Sequence, residues 1–180
     1  MERIAEFKKV SLEKYKEVLL SEFGYEEDEA RKIYENISIP KRATSGSAGY
    51  DFYAPFDIVL KPGDTIKIPT GIRARMEEGW VLMLFPRSGL GFKYRLVLDN
   101  TVGVIDSDYF HSDNEGHIMI KVTNCSGFGK SSLGAAKSEG KILEIKAGQG
   151  FAQGVFLPFG ITADDEAVNV RNGGFGSTGM

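Results

Sequence analysis

DIVLKPGDTIKIPTGIRARMEEGWVLMLF, residues 57–85, is the stretch whose pattern decides the fold. Short β-type runs stand at 57–60, 65–68, 71–76 and 80–85, alternating apolar and polar at 65–68 and 71–76 and wholly apolar at 80–85, and turn residues such as Pro62-Gly63-Asp64 separate them. A period of two marks a strand with one buried face, and the Pro and Gly between runs mark reversals of the chain. Similar runs follow at 97–98, 117–123, 142–145 and 154–157. With no helical segments between them, the spacing predicts an all-β body from Pro40 onward, a sandwich, jelly roll or barrel and not a parallel α/β sheet.

The chain before Pro40 differs in kind. Leu12, Tyr15, Leu19 and Phe23 share one helical face with Ser11 as N-cap, and Ala30, Ile33, Tyr34 and Ile37 repeat that spacing after Gly24. Three parts are therefore expected: a helical extension at 1–38, a β core at 39–170 with a loop insert at 126–140, and a glycine-rich arm at 171–180. The extension is read as surface decoration on the β body or a contact for an unknown protein partner.

Composition sets outer limits. The 180 residues are 42% hydrophobic and 26% charged, enough for one real core. A net charge of −3 offers no bulk attraction to nucleic acid, so a polyphosphate ligand must be met by local charge or a metal. The lone Cys125 excludes an intrachain disulfide. No segment has the length and apolarity of a membrane span or a signal peptide, and a cytoplasmic setting is expected.

Five stretches carry chemistry. The tail Arg171-Asn172-Gly173-Gly174-Phe175-Gly176-Ser177-Thr178-Gly179 is too rich in glycine to pack a core, yet it offers a cation, two hydroxyls, open backbone N–H groups and a ring. It reads as a lid over a nucleotide, with a frayed terminus as the alternative. Ala48-Gly49-Tyr50-Asp51 sets a carboxylate beside a glycine, a donor suited to a hard cation reached through water. Pro86-Arg87-Ser88-Gly89-Leu90-Gly91 leaves an apolar strand with a guanidinium and a hydroxyl that can grip phosphate oxygens. Residues 98–109 alternate apolar and turn residues like a hairpin and end in Asp106, Asp108 and Tyr109, where a carboxylate can serve as general base or stand as a surface charge. Gly148-Gln149-Gly150-Phe151-Ala152-Gln153 brings a side-chain amide to a strand.

Other features mislead. Gly129-Lys130-Ser131 imitates the end of a phosphate-binding P-loop, but Asn124 stands where its first glycine belongs and no apolar helix follows. A loose polar insert is read at 110–115, and His111 within it and His117 just after it lack a metal-ligand spacing and are expected to face solvent.

In this order, from about Pro40 to Gly179, the five stretches resemble the motifs of the trimeric dUTPase family, most specifically from Pro86 through Asn100 to Tyr109. The resemblance implies a jelly-roll β subunit, a homotrimer with active sites shared among chains, and Mg²⁺-dependent hydrolysis of dUTP to dUMP and pyrophosphate. That reaction keeps uracil out of DNA and supplies dUMP for thymidylate synthesis. Asp106 would activate the attacking water. Asn100 and the hairpin backbone at Gly103, Val104 and Ile105 would meet the uracil edge, and Tyr109 would lie against the deoxyribose and leave no room for a 2′-hydroxyl. Arg87, Ser88, Gly89 and Gln153 would hold the phosphate chain, with Asp51 acting on Mg²⁺ through its water shell. On the arm, Phe175 would stack over uracil while Arg171, Gly176, Ser177 and Thr178 engage the terminal phosphate.

The chain also departs from the family pattern. Residues 110–115 intervene after Tyr109, Gly150 stands where arginine is common, and the arm is one residue short between Arg171 and the double glycine. Two other readings stand beside hydrolysis. The related deoxycytidine triphosphate deaminases place a catalytic glutamate where this chain has Lys121, and a cation cannot shuttle that proton in the same way. A nucleotide sensor without turnover is the third.

Overall fold

The computed structural model describes residues 2–128 and 139–168. The chain opens with β1 (Ala5–Lys9), α1 (Leu12–Phe23) and α2 (Glu27–Glu35), followed by β2 (Lys41–Arg42), β3 (Tyr50–Tyr53), β4 (Ile58–Leu60), β5 (Thr65–Pro69), β6 (Ile72–Met76) and β7 (Trp80–Pro86). A short helix, α3 (Ser88–Tyr94), leads into β8 (Leu96–Leu98) and β9 (Gly103–Ile105). A 3-10 turn at Ser107–His111 precedes β10 (Met119–Asn124), β11 (Leu143–Ile145) and β12 (Gly150–Pro158).

The strands form a five-stranded sheet in the order β2-β3-β12-β7-β9, a three-stranded sheet β5-β10-β8, and the pairs β1-β6 and β11-β4. Every pairing is antiparallel. The two-residue alternation of the sequence becomes burial: Ile58 and Leu60, Ile72, Ala74 and Met76, Leu82 and Leu84, and Leu143 and Ile145 all face the core. Among the described residues, no helix is long and apolar enough to cross a membrane.

Four expectations need correction. The first 38 residues are not purely helical, because β1 pairs with β6 in a register that sets Phe7 opposite Ala74. Phe7 is the one large apolar residue of AEFKK, too little for a pattern to register, and its ring meets Tyr50, Phe52 and Phe156 at centroid distances of 5.3, 5.6 and 5.5 Å. The β body is also not free of helix, since α3 follows β7. Its two glycines, Gly89 and Gly91, weaken the helical signal, and Arg95 in the left-handed region closes it.

The insert at 110–115 is the third. Ser112 is buried, and Glu115 accepts hydrogen bonds from both the backbone N–H and the hydroxyl of Ser11, each at 2.7 Å. The same hydroxyl accepts from Lys14 N and so caps α1. Arg73 lies over the Phe110 ring at 3.7 Å, donates to the Phe110 carbonyl and approaches Glu115 at 3.7 Å. An insert that is polar in sequence is thus anchored through Glu115 on Ser11 and through Arg73 on Phe110.

The helices dock through Tyr15, Leu19, Ala30 and Ile37, which join the common core. Gly71, at φ +69°, runs so close beneath them that a β-carbon would collide with Ile37 and come within 3.1 Å of the Tyr15 ring. Here His117 departs from expectation too. It is 1% exposed, not solvent-facing, and its Nε2 accepts a hydrogen bond from Gly71 N at 2.9 Å. On the far side of the fold, Asn124 is fully buried and donates to the carbonyls of Leu60 and Lys141, closing the base of the 126–140 loop. The P-loop imitation itself lies outside the described residues.

Burial pushes the His117 pKa down from 6.5 to about 4, with Glu115 opposing and Lys67 adding to the shift. A depressed histidine gives the folded state an advantage that is whole above pH 6.5 and is lost as pH falls towards 4. That shift is worth on the order of 3 kcal/mol. The melting temperature should therefore fall steeply from pH 7 to 4.5, and His117→Gln, which keeps an acceptor for Gly71, should flatten that dependence. An equally steep profile in the variant refutes the assignment.

Candidate active site

The expected site residues fall into two groups held by opposite edges of β7. At the end of β7, Arg87 N donates to the Phe151 carbonyl at 3.1 Å, tying the motif to β12. Across the sheet, Gln153 stands opposite both Phe85 and Asp51. Arg87 Nε lies 3.3 Å from Asp51 Oδ1, so cation, carboxylate and amide gather in one row. Two glycines make this possible. A β-carbon at Gly49 would sit 2.9 Å from Gln153 Oε1, and one at Gly150 would sit 2.8 Å from Arg87 Nη1. The guanidinium therefore fills the space that a side chain at Gly150 would take. Ser88 and Gly89 open α3 and are exposed.

The second group surrounds a cavity of about 390 Å³. Asn100, Gly103, Val104, Ile105 and Tyr109 line it, with Leu84, Leu98 and Ile120 among the apolar walls. The turn that shapes it needs Thr101 at φ +67°, with Thr101 N bonded to Leu98 O and Val102 N to Asn100 O. Gly103 is required by close approach, because a β-carbon there would lie 2.9 Å from that of Leu84. Tyr109 is 4% exposed, and its hydroxyl donates to the His117 carbonyl at 2.9 Å and accepts from Asn114 Nδ2 at 2.8 Å.

Asp99 and Lys121 also line this cavity, and neither was expected there. They pair at 3.0 Å, and the Thr123 hydroxyl donates to Asp99. Burial works against ionisation of Asp99, but the bonds from Thr123 and Lys121 hold its carboxyl below the ordinary range. The sequence signal was present: Asp99 adjoins Asn100, and Lys121 shares a strand face with Met119.

Asp106 continues β9 in extended conformation, and its carbonyl accepts from Tyr109 N at 3.2 Å to start the 3-10 turn. Since Gly103 pairs with Leu84 and Ile105 with Leu82, the strand carries Asp106 away from Arg87. It stands about 10 Å beyond Gly103 along the strand, and β9 lies about 14 Å from β3 across three inter-strand spacings. Arg171, Phe175, Gly176, Ser177 and Thr178 lie outside the described residues. Among the described residues, no group of three or more His, Cys, Asp or Glu is placed to hold a metal. His117, with Nε2 committed to Gly71, joins no such set.

A strand-rich body carries a cavity of base size at one edge of β7 and a guanidinium–carboxylate pair at the other, and the proteins it is similar to set its class as a nucleotide hydrolase. The dUTPase family model matches residues 35–179, and the chain belongs to that family. It is 42% identical over 151 residues to the deoxyuridine 5'-triphosphate nucleotidohydrolase of Lactococcus lactis, covering 81% of this chain and 92% of the relative. The enzyme of the same name from Shigella flexneri is 37% identical over 156 residues, covering 82% and 91%. Among solved structures, the dUTPase from Streptococcus mutans matches with a TM-score of 0.57 and 38% identity over 71% of this chain and 90% of its own. The dUTPase of Staphylococcus bacteriophage 80alpha with dUPNHPP matches with a TM-score of 0.58 and 23% identity over 99% and 100%, a likeness of fold.

The Gly150 contact can be tested directly. Gly150→Ala should change stability by less than about 1 kcal/mol, because the obstructing group is the end of a flexible side chain. It should nevertheless shift the NMR resonance of Arg87 Nε–H as the guanidinium leaves Asp51. An unmoved resonance shows that Gly150 does not make room for it.

Proposed function

We propose that this protein hydrolyses dUTP to dUMP and pyrophosphate with Mg²⁺. The observation that carries the reading is the 390 Å³ cavity formed by Asn100 and the hairpin at Gly103, Val104 and Ile105, in a chain of the dUTPase family. Backbone groups in a hairpin present fixed donors and acceptors, so a uracil edge is matched and cytosine leaves them unpaired. Tyr109 forms the deoxyribose wall. The Asp106 carboxylate takes the proton from a water that attacks the α-phosphorus. A P–O bond forms, the α,β-bridging P–O bond breaks, and pyrophosphate leaves.

Arg87, Ser88, Gly89 and Gln153 hold the phosphate chain. Asp51 is a single carboxylate, 18% exposed, which fits a cation that keeps most of its waters and takes its other oxygens from phosphates. When bound, Mg²⁺ stabilises the charge of the departing pyrophosphate. Arg171, Phe175, Gly176, Ser177 and Thr178 close over the nucleotide as an arm. The body is read as a jelly roll in a homotrimer whose chains share each site. The opposite directions of Asp106 and Arg87 from β7 support this, since one chain alone holds base cavity and phosphate group apart.

Purified protein with Mg²⁺ should release pyrophosphate from dUTP, and far more slowly from dTTP, dCTP or UTP. Tight dUTP binding without release favours the sensor reading, and uracil-containing product from dCTP favours deamination. Asp106→Asn should lower kcat by about 10²- to 10⁴-fold while dUTP binding survives. A fully active variant removes Asp106 from its role. Light scattering should show a trimer, and a stable, active monomer excludes shared sites.

A further inference from the structure

We propose that Asn114 is a positioning residue that stiffens the sugar wall of the nucleotide pocket through the Tyr109 hydroxyl, a role that rests on the dUTP reading above. Tyr109 lines the cavity, and its hydroxyl bonds to His117 and Asn114, which do not line it. Among the described residues the hydroxyl donates to the His117 carbonyl and accepts from Asn114 Nδ2. Asn114 is itself fixed. Its Oδ1 accepts from the Ser112 hydroxyl at 2.7 Å and from Gly116 N at 3.1 Å.

Ser112 N donates to the Tyr109 carbonyl at 3.1 Å, so hydrogen bonds lead from the tyrosine hydroxyl through Asn114 and Ser112 round to its own backbone. Gly116, at φ +69°, lets the chain turn back on itself, since a β-carbon there would lie 2.7 Å from Tyr109 O and 2.8 Å from Phe110 Cα. Behind this ring of bonds, Glu115 grips the N-cap of α1 through Ser11. The tyrosine is therefore braced on the side away from the nucleotide by residues of the very insert that distinguishes this chain.

A wall excludes a larger ligand only as well as it resists displacement. To admit a 2′-hydroxyl, the Tyr109 ring must retreat, and retreat breaks the bonds at its hydroxyl. Asn114 thereby adds to the rejection of ribonucleotides and contributes little to turnover of the deoxy substrate. The insert becomes a specificity element rather than a surface embellishment.

The test compares kcat/KM for dUTP and UTP in the full-length wild type, Asn114→Asp, Tyr109→Phe and the double variant. Asn114→Asp keeps an acceptor for Ser112 and Gly116 and removes the amide donor to Tyr109. The preference for dUTP over UTP should fall about three- to tenfold, the factor that one hydrogen bond commands, mainly through a gain on UTP. In the Tyr109→Phe background the same substitution should have no further effect. An unchanged preference, an equal loss on both substrates, or an undiminished effect without the hydroxyl overturns the proposal. If Asn114→Asp fails to fold, Tyr109→Phe alone decides, because unchanged preference after loss of the hydroxyl is equally fatal. A wild type inert on dUTP refutes the dUTP reading, whereas a selective wild type with unaltered variants refutes only the role of Asn114.

Discussion

Strand β7 is hydrogen-bonded to β12 along one edge and to β9 along the other, and that double ladder fixes where each half of the site lies. Glycines in both neighbours lock its register. Gly103 of β9 leaves room for Leu84, and Gly154 of β12 leaves room for Leu82, whose Cδ1 would be 2.8 Å from an added β-carbon. A slip of one residue would turn both leucines outward and separate Arg87 from the Asp51–Gln153 row. Core packing and site geometry are thus one constraint.

A second region of close packing joins the helices to the pocket. His117 links Gly71 beneath Tyr15 and Ile37 to the Tyr109 hydroxyl, using its ring for the first and its carbonyl for the second. Glu115 makes a parallel link from Ser11 to Arg73. Burial opposes its ionisation, but the bonds from Ser11 and the charge of Arg73 hold its carboxyl below the ordinary range. Acid therefore acts on two neighbouring residues in the same direction, charging His117 and discharging Glu115.

Much of the β body was legible because half-buried strands write their faces into the sequence, as at Ile72, Ala74 and Met76. The α1 boundaries were legible for a similar reason, with Ser11 and Gly24 supplying the chemistry of its two ends. What escaped was non-local. Nothing in AEFKK signals that Phe7 will complete an aromatic cluster, and nothing in a polar insert signals that Glu115 will find Ser11, 104 residues away. His117 deceived because the polar insert 110–115 precedes it along the chain while its neighbours in space are Tyr15 and Gly71. In the site, motif order singled out Asn100, Asp51 and Arg87 as candidates, but the filling of Gly150's space by a guanidinium requires the bulge between Gly150 and Ala152 to be seen.

The charge pairs in the site bear on how an acidic chain can receive a triphosphate. Arg87 faces Asp51 and Lys121 faces Asp99, so neither cation presents its full field to solvent. Exposed pairs of this kind contribute only about 0–1 kcal/mol, and exchanging a carboxylate for a phosphate oxygen costs correspondingly little. Arg87 meets Asp51 through Nε, and a guanidinium has five N–H donors in a planar fork. Under the proposed function, Asp51 can hold the guanidinium in orientation while its η nitrogens turn to the phosphate chain. The same carboxylate would attract a hydrated Mg²⁺ through its water shell, so one fixed charge would serve both the arginine and the metal.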